Sequence, residues 1–344
     1  MLQKVVDFPA QISAAYSLLS SQIEQLPDFN GGFSSIVIVG MGGSGIAGDF
    51  VRVLLSNSNM PVHVCKNSRL PRYVNSKSLV IAVTYSGKTQ ETLAALDASV
   101  NAGAKCIVIT SSREFGSVCQ ERNISCISIP WNSYSRASFG YILLPLIGIL
   151  NKAGLFSTID TDISEAITVL NQIRQECSPE VPERKNVARL LSLALADRLP
   201  VIYGVYNFTD VIAVRWKQQL NENSKVHCYL DVFPELLHNE IEVWDAKTAQ
   251  SCTLIILRDE MIEFDNGLED RIQLTKNLAK NNGTKVFELW TRGKSELARL
   301  LSLSYYGDFV SVYLAELRAI DPEITSNINY IKRQDTSQLR SKEA

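Results

Sequence analysis

The sequence predicts an α/β protein built of two parallel β-sheets, each covered by helices. Three observations predict it. Short, apolar, β-branched runs such as Ile36-Val-Ile-Val39 and Val80-Ile-Ala-Val83 alternate with helically spaced segments over the first 150 residues or so. The alternation restarts near residue 199 after a mostly helical passage over 164–197. The two halves also echo each other, because Ile36-Val-Ile-Val-Gly40 before a helix resembles Val201-Ile-Tyr-Gly204 before another.

Taken in order, Ile12, Tyr16, Leu19, Ile23 and Leu26 are spaced for an amphipathic helix over 9–26, and Asn30-Gly31-Gly32 reads as a turn. Strands follow at 36–39, 61–65, 79–83, 106–109 and 126–129, with helices between several of them and another over 138–152. Residues 151–162 read as the boundary, dividing the chain into 1–155 and 156–344. The second half reads as strand 199–205, helix 210–220, strand 253–257, helix 266–281, strand 285–289 and helix 294–306. Asp321-Pro322-Glu323 has the form of a helix start, with Asp as cap and Pro first. The polar tail after Gln334 is expected to fray.

Composition narrows the function. A chain of 344 residues can bury two cores of ordinary size. Its 34 basic and 36 acidic residues argue against a nucleic-acid or anionic-membrane surface made by bulk charge. Seven scattered cysteines, never spaced C-x-x-C, predict buried thiols in a reducing cytoplasm. Three histidines, none near a cysteine cluster, argue against structural zinc. No apolar run reaches the ~18 residues that span a bilayer, and the start lacks the pattern of a signal peptide. A soluble, cytoplasmic protein is expected.

The chemistry-bearing stretch is 80–92. Its strand breaks at Thr84 into Thr-x-Ser-Gly-x-Thr, and Glu91 to Leu96 run on with helical spacing. A strand that opens through hydroxyl residues into a helix N-terminus makes a phosphate seat, since free N–H groups and the helix dipole face the anion. Thr84, Ser86 and Thr89 are therefore candidate anion ligands; the plainer alternative is that Ser86 or Thr89 only caps its helix. Gly40-x-Gly42-x-x-Gly45 fits the dinucleotide fingerprint, but the next strand ends in Lys66-Asn67 where an acidic residue should hold a ribose. A phosphate turn of Gly42, Gly43 and Ser44 needs no such partner, so no nucleotide cofactor is expected. The second half lacks this small-residue loop, which implies one phosphate site per chain.

Four further positions carry weight beside plainer readings. Glu222, in Asn221-Glu-Asn-Ser-Lys225, is either a solvated helix end or a group at the carboxyl-end side of a parallel sheet, where such folds bind ligands. His238 sits in the loop-like Pro234-Glu-Leu-Leu-His-Asn239 and is structural, exposed or functional. Arg136, in Tyr134-Ser-Arg-Ala137, is a surface arginine or a ligand clamp. Thr325 and Lys332 are seven apart and share a face of the final helix, where solvent exposure is the plainer reading.

Gly40-Met-Gly-Gly-Ser-Gly45 with Thr84-Tyr-Ser-Gly-Lys-Thr-Gln-Glu-Thr92 resembles the sugar isomerase (SIS) fold, a flavodoxin-like αβα sandwich. Ser135-Arg136-Ala137, Asn221 to Lys225 and Glu235-Leu-Leu-His-Asn-Glu240 narrow the resemblance to the bifunctional phosphoglucose/phosphomannose isomerases. It covers about residues 30–333. The resemblance implies two SIS domains per chain, a phosphorylated hexose as substrate, no metal and no cofactor, and a homodimer with active sites near its interface. It further implies that Gly42, Gly43, Ser44, Thr84, Ser86 and Thr89 hold the phosphate, and that Arg136 stabilises an enediolate. Glu222 resembles the base, His238 the residue that opens the sugar ring, Lys332 a lysine assisting it, and Thr325 a neighbour of the C1–C2 end. The family often has Pro before the arginine, whereas Ser135 stands here, which bears on the pocket wall and on the balance between the two activities.

These residue types suit aldose–ketose isomerisation on their own chemistry. One carboxylate can move a proton between C1 and C2, a histidine titrates near neutrality, and an arginine keeps its charge beside a developing oxyanion. The competing reading is a phosphosugar-sensing SIS module that binds without turnover, followed by an amino-sugar isomerase.

Overall fold

The computed structural model describes residues 1–29, 32–132 and 134–340. Asn30 and Gly31 of the expected turn, and the last four residues of the tail, lie outside the described residues. The first sheet contains β1 (Ser35–Gly40), β2 (Val62–Cys65), β3 (Ser78–Val83), β4 (Lys105–Thr110) and β5 (Ser125–Ser128), all parallel, in the order β2-β1-β3-β4-β5. The second contains β6 (Leu199–Val205), β7 (Tyr229–Phe233), β8 (Cys252–Arg258) and β9 (Lys285–Trp290), also parallel, in the order β7-β6-β8-β9. The two orders match strand for strand over four strands, as the echo between the halves implies. The sequence reading missed β7. Tyr-Leu-Asp-Val-Phe is an edge strand buried only at Phe233, and such a strand need not be continuously apolar.

The helices are α1 (Leu2–Val6), α2 (Phe8–Glu24), α3 (Gly42–Leu54), α4 (Gln90–Asn101), α5 (Arg113–Glu121), α6 (Phe139–Lys152), α7 (Ile159–Cys177), α8 (Val187–Leu195), α9 (Asp210–Gln219), α10 (Glu260–Asp265), α11 (Glu269–Asn281), α12 (Glu296–Leu317) and α13 (Ser326–Arg340). Strand alternation sorts them into layers. Ile36, Ile38, Leu79 and Ile81 of the first sheet, with Ile202, Ile255 and Leu257 of the second, join a single core with residues of α2, α3, α6, α7, α8, α9 and α12. The opposite strand faces make two smaller cores, one with α4 and α5, the other with α11 and the segment after β7. Both halves thus share one inner helical layer. Among the described residues no helix is long and apolar enough to cross a membrane.

Helix α12 runs eleven residues beyond the 306 expected, because it is buried almost all round from Leu297 to Ala315 and shows no amphipathic stripe. Its polar Ser304, Asp308 and Ser311 are buried and hydrogen-bonded. At Gly307 it lies against the Trp216 indole, where a Cβ would stand 2.3 Å from Nε1. That Nε1 donates to the Leu303 carbonyl at 2.8 Å. Gly307→Ala is therefore expected to lower stability by about 1–3 kcal/mol or more, read from the urea midpoint. An unchanged midpoint would contradict this packing.

Two expectations at the C-terminus are corrected. Asp321-Pro322-Glu323 is a turn and not a helix start: Asp321 Oδ1 accepts from the Glu323 N–H at 2.8 Å, and α13 begins only at Ser326. Pro322 and Glu323 are engaged elsewhere, Pro322 by Arg136 and Glu323 by the amino group of Met1. The helix then continues to Arg340, past the Gln334 where fraying was expected.

The inner layer sets how the halves meet. Arg52 near the end of α3 donates to Asn207 at 3.1 Å and faces Asp210 at the start of α9, so α3 and α9 run antiparallel. The end of α9 consequently lies beside the start of α3. The carboxyl edge of the first sheet meets the amino edge of the second.

Candidate active site

The residues expected to hold a phosphate gather where β1 and β3 end side by side, with Gly40 in register with Val83. Their helices leave on opposite faces, opening the crevice that this strand order provides. Helices α3 and α4 both begin here, after Met41 and Thr89, and neither has a side-chain cap. In α3 the Ser44 and Gly45 N–H groups turn back to the Met41 carbonyl, and the N–H groups ahead of them at the helix start are of the kind that receives an anion. Ser86 Oγ accepts from the Lys88 N–H at 3.3 Å, a local turn, so neither Ser86 nor Thr89 caps α4. Thr84 is buried, and its Oγ1 has no partner. A buried hydroxyl without a partner is costly, and a phosphate oxygen would satisfy it.

Gly43 brings this seat to the arginine. A Cβ there would stand 3.1 Å from the Arg136 amide nitrogen and 3.1 Å from Ser135 Oγ, so the two segments pack closely at a position where a larger residue would push them apart. Gly42 is exposed at φ +52°, Ser44 buried and Ser135 half-buried. Tyr85 ties the seat to the same loop from the other side: its hydroxyl accepts from the Asn132 N–H at 2.5 Å and lies 2.9 Å from Ser138 Oγ. Its ring stacks on Trp131 at 5.2 Å.

Arg136 itself is 6% exposed. Its Nη1 donates to Glu222 Oε2 at 3.1 Å, its Nε to Asn223 Oδ1 at 2.9 Å and its Nη2 to the Pro322 carbonyl at 2.7 Å. The guanidinium also packs on the Tyr134 ring at 4.6 Å. Burial pulls its pKa down, and the charge of Glu222 opposes that shift. Glu222 follows α9 on a wider helical turn, Leu220–Ser224, which ends at Lys225 in the left-handed conformation. Lys225 Nζ donates to the Glu222 carbonyl. Glu222 therefore stands at the carboxyl edge of the first sheet and not of its own, correcting the expected placement. Thr325 is half-buried, three residues from the Pro322 that holds Arg136.

Gly42, Gly43, Ser44, Thr84, Ser86, Thr89, Ser135, Arg136 and Glu222 thus form one neighbourhood. His238 does not join it. It is exposed on a short turn after β7, at the carboxyl edge of the second sheet. Glu222 precedes β7, and five strand residues at about 3.3 Å each put the two on the order of 15 Å apart. Lys332 stands exposed on α13, about two turns beyond Thr325. Sequence reasoning passed over Tyr85, Asn223 and Tyr134, although each lies inside or beside a quoted motif; only their hydrogen bonds and ring contacts reveal them. Among the described residues no group of three or more His, Cys, Asp or Glu could hold a metal ion.

The SIS domain family matches residues 34–142, and the family described as the bacterial phospho-glucose isomerase C-terminal SIS domain matches 184–334. A bifunctional phosphoglucose/phosphomannose isomerase from Caldicellulosiruptor bescii is 38% identical over 342 residues, covering 97% of this chain and 98% of the relative. The chain belongs to the bifunctional phosphoglucose/phosphomannose isomerase family. Another member with that name, from Thermoplasma acidophilum, is 34% identical over 88% of this chain and 90% of its own length. Among solved structures, the hypothetical protein TT0462 of Thermus thermophilus superposes with a TM-score of 0.76 at 16% identity, covering 97% of this chain and 89% of that one. That likeness supports the two-sheet α/β fold. Membership of the isomerase family is compatible with the site: an arginine and a carboxylate beside two helix starts without side-chain caps.

Proposed function

We propose that this chain interconverts glucose 6-phosphate and mannose 6-phosphate with fructose 6-phosphate through a cis-enediolate. The observation that carries the reading is the pair of buried Arg136 and half-buried Glu222, 3.1 Å apart, set against the start of α3 at Gly43 and tied to the Thr84–Thr89 loop through Tyr85. The phosphate sits on Thr84, Ser86, Thr89 and the start of α3 at Gly42, Gly43 and Ser44, with the C1–C2 end towards Arg136. Glu222 takes the proton from C2 of the aldose and returns it to C1 of the enediolate, while a proton passes between the oxygens. Arg136 carries the negative charge that forms on them. The intermediate has no stereocentre at C2, so one base serves both epimers.

His238 opens the ring, and its place at the far edge of its own sheet favours service in the site of a second copy, as part of a homodimer. Lys332 assists from α13, and Thr325 and Ser135 shape the wall beside the reacting carbons. The division into units 1–155 and 156–344 fits this use, the first supplying phosphate seat and arginine, the second the base. The chain works in the cytoplasm.

The deciding assay is conversion of fructose 6-phosphate with glucose 6-phosphate and mannose 6-phosphate quantified separately. Both products are expected; binding without turnover would return the sensing module. Ser86→Ala is expected to raise KM about tenfold with little change in kcat, since it removes one hydrogen bond to a charged group in ground and transition state alike. A fall in kcat at unchanged KM would move Ser86 out of the phosphate seat.

A further inference from the structure

Asn223 and Ser311 lie directly behind the arginine, and their hydrogen bonds have a direction. Ser311 Oγ donates to the Asp308 carbonyl at 2.8 Å within α12, which leaves its lone pairs to accept. Asn223 Nδ2 donates to that Oγ at 2.9 Å. The amide is thereby fixed with its oxygen forward, and Oδ1 accepts from Arg136 Nε at 2.9 Å. Ser224 Oγ adds a second tie to the same turn of α12, donating to the Ser311 carbonyl at 2.6 Å. Asn223, Ser224 and Ser311 are all 1% exposed or less. A relay of defined polarity therefore runs from a carbonyl of the most buried helix to the guanidinium.

Of the three acceptors on Arg136, only Glu222 is charged; Asn223 Oδ1 and the Pro322 carbonyl are neutral. Glu222 is also the group that has to turn to the substrate carbons and take up a proton. We propose that Asn223, oriented by Ser311, is a positioning residue: it holds the guanidinium in place through the proton transfer without neutralising it, so that the charge of Arg136 falls on the enediolate oxygens. The inference rests on the role given to Arg136 above. A carboxylate in the same place would stay paired with the cation in surroundings of low dielectric and compete with the oxyanion.

The test compares two inhibitors of the full chain. 5-Phosphoarabinonate presents a carboxylate where the enediolate forms, and sorbitol 6-phosphate presents an uncharged chain with the same phosphate. The ratio of their inhibition constants measures how strongly the site prefers negative charge at C1–C2. Asn223→Asp is expected to cut that preference about tenfold or more and kcat by a similar factor, with the KM for fructose 6-phosphate changed less than about threefold. Ser311→Ala leaves every charge in place and frees the amide to turn over; it should cut the same ratio by about threefold or more. Equal weakening of both inhibitors in folded variants would overturn the proposal and leave Asn223 a packing residue. If Asn223→Asp does not fold by circular dichroism, Ser311→Ala, which removes one hydroxyl, decides. Arg136→Ala separates the two readings. If it leaves the ratio at the wild-type value, the role of Arg136 itself fails. If it abolishes the preference while Asn223→Asp and Ser311→Ala do not lower it, only the relay fails.

Discussion

Glu222→Gln is expected to stop turnover while leaving the substrate bound. The amide keeps the shape of the side chain and an oxygen for Arg136 Nη1, the role Glu222 Oε2 fills at 3.1 Å. It loses the basicity on which proton transfer depends. A general base contributes a factor on the order of 10² to 10⁴, so kcat should fall by that much with KM for fructose 6-phosphate within about threefold. Because one carboxylate serves both epimers, formation of glucose 6-phosphate and of mannose 6-phosphate should fall in parallel. Exchange of the substrate C1 hydrogen with deuterated water should fall with them. If one product survived at near wild-type rate, a second base would be at work and the single-carboxylate mechanism would fail. If exchange persisted while both products were lost, Glu222 would belong to a step after proton removal.

How much of this was legible in the sequence follows from how local each feature is. Each strand end is followed within a few residues by the start of its helix, β1 by α3 and β3 by α4, so glycines and hydroxyls in 40–45 and 84–89 spell out the proposed phosphate seat directly. Arg136 and Glu222 were readable as residue types but not as a pair, being 86 residues apart and brought together by the antiparallel contact of α3 with α9. The same contact moved Glu222 to the other sheet's edge, which no spacing argument could have shown. Strand β7 and the length of α12 escaped for opposite reasons. One is a half-buried edge strand with an aspartate in it; the other is buried so completely that its apolar residues have no period. Asn223 sits in a quoted motif, yet its meaning depends on Ser311, 88 residues away. Directional hydrogen bonds between distant elements leave no periodic trace.

Arg136→Ala should cost more than any other single change in the first half of the chain. The guanidinium is buried and serves three acceptors on two separate segments, Glu222 and Asn223 on one and the Pro322 carbonyl on the other. Its loss removes the cation paired with the Glu222 carboxylate and the positive charge that meets the enediolate. Removing one preorganised donor from an oxyanion site costs about 10² to 10³ in kcat, and here a full charge goes with it, so a loss on the order of 10³ or more is expected. Arg136→Lys separates charge from geometry. An ammonium keeps the charge but cannot reach three acceptors in three directions, so it should recover only about tenfold over alanine. Phosphate binding should survive in both, because Thr84, Ser86 and Thr89 do not depend on the side chain; the inhibition constant of sorbitol 6-phosphate measures this. Added guanidinium ion should restore part of the rate in Arg136→Ala, since the vacated space is lined by the same three acceptors. A variant that lost sorbitol 6-phosphate and turnover together would show that Arg136 mainly holds segments 222–223 and 322 in place. Full activity in the lysine variant would show that charge alone suffices, and the fork held by Asn223 would then be without purpose.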